Sequence, residues 1–220
     1  MLIICAITAI SGTSWSWKQK ITVVVSTPDG VRTGSSVTTA RLTLKNTRII
    51  PQSGSGYLVS GEAAVVEIVP GKYLFALLKR MPTVSEIYHV PPDQIGQKIG
   101  STIELPQQSW PMLVAFGNVN DPSTVIEITP KNIETVFGSG VAINNIRFSL
   151  TKDTRTKGID SVLPWRCELA QKGARLNGKT GTIANNELSN NIGSGAISTL
   201  PCSWLWASAE SLVESIVGRR

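Results

Sequence analysis

The chain is short of the residues that mark an enzyme. Among 220 residues it has one histidine, three cysteines and 16% charged side chains, where soluble proteins carry about a quarter. His89 stands in Tyr88-His89-Val90-Pro91-Pro92, and no Gly-x-Ser-x-Gly elbow supplies a nucleophile for it, which excludes a motif-marked Ser/His hydrolase. Cys167 and Cys202 lie far apart and have no second histidine near them, so zinc-ligand spacing is absent. Gly54-Ser55-Gly56 and Gly138-Ser139-Gly140 are too short to cradle phosphate and lack the P-loop lysine; they read as turns. Asn118-Val119-Asn120-Asp121 has calcium-ligand types without the twelve-residue loop that an EF-hand closes with an acid. The carboxylate pairs Asp93 with Glu104 and Glu127 with Glu134 could act as acid and base, but every chain of this size offers such pairs. The sequence therefore implies no cofactor and no metal.

Long hydrophobic runs are also missing. The longest, Met1 to Ile10 with one Thr, is well short of the roughly 20 residues that cross a membrane as a helix. With small residues from Ser11 to Ser14 behind it, the run reads as a secretory signal peptide over residues 1–14, cleaved before Trp15, although no Lys or Arg precedes it. Its alternative is an apolar N-terminal strand. Cys5 follows Ile4 rather than a small residue, which argues against lipidation. In an oxidising compartment Cys167 and Cys202 are an even pair available for a disulfide, or else two separately buried thiols.

What the chain does have is turn chemistry and alternation. Gly, Ser, Thr and Asn are plentiful, a mix that suits strands and turns better than long helices. Lys20 to Ser26 alternates about Ile21, Val23 and Val25, and Thr27-Pro28-Asp29-Gly30 supplies a turn that returns Val31 to Leu44 onto it, with Gly34 marking a bulge or bend. Tyr57 to Val69 reads as a strand, and Tyr73 to Leu78 as a buried strand or short core helix. Pro92 to Ile99 reads as a short helix in a loose stretch from Met81 to Leu105. Met112 to Phe116 and Thr124 to Ile128 form a strand pair; Thr129 caps a helix that Gly138 ends; Ile143 to Leu150 is a closing strand. From Ser203 to Arg220 the spacing of Leu205, Ala209, Leu212, Val213 and Ile216 describes an amphipathic helix. The expected architecture is mostly β: an antiparallel sandwich or strongly twisted sheet over residues 15–200, with two or three short helices, and a helical tail over 201–220.

Net charge is +6, concentrated in two blocks. Residues 1–50 hold six basic groups against one acid and residues 146–180 eight against three, whereas 51–145 carries an acidic excess. If the fold brought the blocks together they would form a patch able to meet phosphate, lipid headgroups or acidic polysaccharide. No Lys/Arg run or nucleic-acid motif accompanies them, so nucleic acid is a disfavoured partner.

Val23 to Gly30 with Gly34-Ser35-Ser36-Val37, then Gly71 to Leu78, Asn120-Asp121-Pro122, Phe137 to Val141 and Leu163-Pro164-Trp165 resemble, in that order, a family of uncharacterised exported proteins of Gram-negative bacteria, periplasmic or lipoprotein-like. The resemblance covers roughly Trp15 to Gly195. It implies envelope export and a β-rich fold, and carries no activity.

Function then rests on binding candidates. Trp110, Trp165 and Asn120, aromatics and an amide set among polar loops, are the ligand-contact candidates, with core packing as the plainer role for each indole. The expectation is a non-catalytic envelope protein, structural or binding, partnered by an envelope protein or a glycan. Its rivals are a hydrolase with an unmarked carboxylate site, formed if Asp93, Glu104 and His89 converge, and a membrane-surface adaptor acting through Trp204, Trp206 and the tail.

Overall fold

In a computed structural model, residues 13–44, 56–78 and 82–166 are described. The run Met1 to Ile10, all three cysteines and the 203–220 tail lie outside them.

The first fifty residues set the frame. Strand β1 (Thr13–Thr27) and strand β2 (Gly30–Leu44) pair antiparallel in unbroken register from Thr13↔Leu44 to Thr27↔Gly30. Gly30 takes φ 118, the positive value the turn demands, and the Thr27 hydroxyl donates to its carbonyl at 2.8 Å. The strand begins at Thr13, seven residues before the alternation becomes legible at Lys20.

Strand β3 (Gly56–Ser60) pairs with β2, while β4 (Ala64–Val69) belongs to a second sheet. The single run expected from Tyr57 to Val69 is thus two strands. The break falls at Gly61, whose φ of 150 and lack of a side chain let the backbone turn against Thr38; a Cβ there would stand 2.7 Å from the Thr38 methyl. Strands β5 (Lys72–Ala76), β6 (Thr102–Glu104), β7 (Leu113–Phe116), β8 (Val125–Ile128) and β9 (Ala142–Thr151) complete two antiparallel sheets, ordered β3-β2-β1-β9-β6 and β4-β5-β7-β8.

The expected mostly β architecture with a few short helices is what the described residues form. Helices α1 (Val84–Tyr88), α2 (Ile133–Phe137) and α3 (Ile159–Val162) are each about one turn, and Pro92–Lys98 is a 3-10 helix. Helix α1 was not anticipated, although Thr83 and Glu86 form a reciprocal capping box whose Thr-x-x-Glu spacing stands in the sequence. For α2 the cap differs from the expected Thr129. The helix starts four residues later, behind Asn132, because the Asn132 side-chain oxygen accepts from the Thr129 N–H at 2.7 Å and ties residues 129–132 into a turn.

Inward side chains of both sheets make the main core. Ile21, Val23 and Val25 of β1 and Ile146, Phe148 and Leu150 of β9 meet Val66, Leu74, Leu113 and Ile128 of the second sheet. Phe75, Val114 and Phe116 point the other way, to the second sheet's outer face, where Ile159 and Leu163 cover them. This sheet is buried on both sides, which explains why Leu113-Val114-Ala115-Phe116 shows no alternation.

Gly34 proves to be neither bulge nor bend in the β1–β2 ladder. It sits in register opposite Val23, and the Val65 carbonyl of β4 occupies the space where its Cβ would project, at 2.0 Å. The sheets touch backbone to backbone there. The irregularity of the first sheet lies instead between β1 and β9, where the register shifts at Val24/Val25.

Candidate functional site

A cleft of about 460 Å³ opens beside Trp110, between the 3-10 turn Gln107–Ser109 and the end of β8. Local bonding fixes both walls. On one side the Ser109 N–H donates to the Pro106 carbonyl at 2.8 Å, and the Trp110 indole N–H donates to the Leu105 carbonyl at 2.9 Å, so the ring is held in one plane. Pro111 then leads directly into β7. On the other side Asn132 donates to the Glu127 carbonyl at 2.8 Å, holding Thr129, Pro130 and Lys131 against the strand end. The pairing Leu113↔Ile128 brings the walls together. The floor is apolar, from Met112, Leu113 and Ile128, and the rim is polar, from Gln107, Gln108, Glu127 and Lys131. A fixed indole, two proline rings, two primary amides and one charge of each sign can stack on a flat apolar face and hydrogen-bond the groups around it.

The three ligand candidates do not converge. Trp110 lines the cleft, whereas Trp165 and Asn120 lie at the opposite end of the β7–β8 hairpin, the length of a four-residue strand or about 13 Å away. Trp165 donates its indole N–H to the Val119 carbonyl at 2.7 Å and packs edge-on against Phe116 at 5.4 Å, closing the second hydrophobic cluster. Asn120 is exposed in the turn, its backbone N–H bonded to the Asn118 side chain at 3.0 Å. Of the carboxylates, Glu127 lines the cleft, and Glu134 accepts from the Gly140 N–H at 2.9 Å. His89 closes α1 in the left-handed conformation at φ 51, Asp93 stands in the first turn of the 3-10 helix and Glu104 lies opposite Arg147; none of the three lines the cleft. Among the described residues no three His, Cys, Asp or Glu side chains are grouped to hold a metal ion.

Glu62 and Gln19 are among the buried polar groups that escaped the sequence reading. Glu62, 1% exposed, accepts from the Ile159 N–H at 3.1 Å and so anchors the start of α3. Burial pushes its carboxyl above the ordinary range, against the opposing pull of the Ile159 and Gly158 N–H groups and Arg166. Arg166 in turn pairs with Asp160 at 2.6 Å. In the first sheet Gln19, fully buried, accepts from the Trp17 indole at 3.2 Å beside the Tyr57 ring. Burial pushes the Tyr57 hydroxyl up to about 12, with smaller opposing contributions from the Val84 N–H and the Gln19 side chain, neither of which closes a bond of standard length and angle. A signal for Gln19 existed: it occupies an inward position between Trp17 and Ile21. Glu62 had none, because its burial depends on a helix 97 residues later.

No protein-family model, curated protein or solved structure matches the chain.

Proposed function

We propose that this is a non-catalytic envelope protein, exported after removal of residues 1–14, whose cleft beside Trp110 binds a sugar ring of an envelope glycan. The observation that carries the reading is the immobilised Trp110 indole facing a rim of amides. Sugars present an apolar C–H face that an indole covers, and edge hydroxyls that primary amides and a carboxylate bond in pairs. Hydrolysis of a glycosidic bond ordinarily needs two carboxylates about 5 to 10 Å apart, and the lining residues include one, Glu127. Cleavage before Trp15 is compatible with the fold, since of the described residues it would remove only Thr13 and Ser14, the exposed end of β1, and leave the pairing from Trp15↔Leu42 intact.

The test is tryptophan fluorescence and NMR titration of the full mature protein with soluble cell-wall oligosaccharides, compared with Trp110→Ala and Gln108→Ala. Saturable binding lost in both variants, with folding retained, supports the reading. Wild-type affinity in Trp110→Ala contradicts it, and product release from the titrated oligosaccharide would favour the hydrolase rival. Intact mass of protein from its own host checks export: a chain starting at Met1 in the cytosolic fraction ends that part of the proposal.

A further inference from the structure

The cleft beside Trp110 has an electrical polarity. Its two charged lining residues stand on the same wall: Glu127 on β8 and Lys131 in the turn that follows the strand. Local bonds hold that turn. The Asn132 N–H donates to the Thr129 carbonyl at 3.2 Å, with Pro130 and Lys131 between them, and the Asn132 side chain both accepts from the Thr129 N–H and donates to the Glu127 carbonyl. Pro130 fixes its own backbone angle just ahead of the lysine. The backbone of Lys131 is thereby folded back toward Glu127, while its side chain is exposed. The ion pairs among the described residues join Lys20 to Asp153 and Arg166 to Asp160, and leave Lys131 out.

We infer that Lys131 makes the cleft selective for a carboxylated sugar, a uronic acid residue of the glycan, with the sugar carboxylate at Lys131 and ring hydroxyls at Glu127. The inference rests on the sugar-binding reading of the same cleft. Donor and acceptor chemistry assigns the two ends. The lysine ammonium has three donors and no acceptor, so an anion satisfies it; a carboxylate such as Glu127 has only acceptors, about four lone-pair sites, so hydroxyls satisfy it and another acid is repelled. Glu127 has a partner within the protein as well, and that number of sites leaves room for a hydroxyl beside it. A uronic acid has the matching polarity built in. Its carboxylate and its vicinal hydroxyls stand on opposite sides of the ring, so a ring laid on the indole points an anion one way and a diol the other. Gln107 and Gln108, whose amides donate and accept, meet the remaining hydroxyls from the other wall. Charge decides against a sugar phosphate. A phosphate monoester carries close to two negative charges near neutrality, one lysine balances one, and Glu127 on the same wall repels the rest. The arginine fork that suits phosphate is missing from the described lining.

The experiment titrates the full mature protein with trimers of galacturonate and of glucuronate, each beside its fully methyl-esterified form, which keeps the rings and removes the charge. Calorimetry gives the affinities, and the Trp110 indole N–H resonance reports binding at the cleft. For the trimer that binds more tightly, the acid form should bind about tenfold better than its ester, and added salt should shrink the difference. Lys131→Gln, at an exposed turn position, should reduce that preference to about twofold or less, whereas Glu127→Gln, which removes the like charge on the same wall, should widen it about threefold. Lys72→Gln, at the end of β5 remote from the Ala76↔Leu113 pair, should keep the wild-type ratio. Equal affinity for acid and ester in the wild type, or a preference that survives Lys131→Gln, overturns the inference and leaves the sugar-binding reading standing. So does failure to bind either trimer by a protein that binds neutral cell-wall oligosaccharides. Absence of all sugar binding, or binding that Trp110→Ala leaves intact, brings down the reading of the cleft and the inference with it.

Discussion

The Val65 carbonyl oxygen of one sheet lies 2.0 Å from the point where a Cβ on Gly34 of the other would project. A Val66 methyl lies 2.8 Å from the same point, so at this corner a backbone carbonyl and one side chain of β4 close directly on the bare backbone of Gly34. Gly34→Ala must push β2 and β4 apart, and the expected cost is about 3 kcal/mol. Gly56→Ala, with open space around it and an ordinary φ, should stay within about 0.5 kcal/mol of wild type. Urea denaturation of both variants checks the pair; a Gly34→Ala protein as stable as Gly56→Ala would show that the sheets are not held so closely.

Glu62 makes stability depend on acid in an unusual direction. Its folded carboxyl takes up a proton more readily than the unfolded one, so its contribution is fully present below the ordinary carboxylate range and is lost as pH rises through the raised folded value. Glu62→Gln keeps an acceptor for the Ile159 N–H and cannot ionise. That variant should match wild type at low pH and exceed it near neutrality, whereas Glu62→Ala, which strands the N–H, should cost about 1 to 3 kcal/mol. Denaturation midpoints measured from pH 4 to 8 distinguish the three proteins, and an identical pH slope in wild type and Glu62→Gln would refute the assignment.

Tyr57 predicts a second slope at the alkaline end. With the folded hydroxyl at about 12 and an ordinary value of 10.0, the stability it contributes is present below pH 10 and declines as pH climbs toward 12. Tyr57→Phe should remove that decline, and spectroscopic titration of tyrosinate should show one fewer late-titrating group. If Tyr57 ionises near its ordinary value of 10.0, its burial against Gln19 and Val84 is not as described.

Trp165 should behave as a structural residue. Trp165→Phe loses the bond to the Val119 carbonyl and should cost about 1 kcal/mol, while Trp165→Ala also opens a gap beside Phe116 and should cost about 3 kcal/mol. Neither should alter oligosaccharide affinity at Trp110. Loss of affinity without loss of stability would return Trp165 to the ligand site.

Much of the fold was legible because local rules and global packing agree in it. Thr27 to Gly30, the Ile146-Phe148-Leu150 face and the β7–β8 hairpin each carry their pattern within ten residues or so. The misread positions are those whose role depends on distant chain. Gly34 answers to Val65, Gly61 to Thr38 and Glu62 to Ile159. The site was legible only in Trp110: its companions Gln107, Gln108 and Lys131 are ordinary surface residues until the Leu113↔Ile128 pairing brings them to one rim.

The pairing of β1 with β9 also orders events in time. Lys20 and Asp153 are 133 residues apart, so during synthesis β1 and β2 can zip together long before the strand that covers the other edge of β1 exists. Until then the Trp17-to-Val25 edge presents unpaired backbone groups beside a row of apolar side chains, a template for pairing with another chain. Late closure of this kind slows folding, since the entropy of the long loop is lost before β9 repays it. Until β9 arrives, β1 is an open edge, and Lys18 and Lys20 put two cations on it, the kind of charge that discourages pairing with another chain.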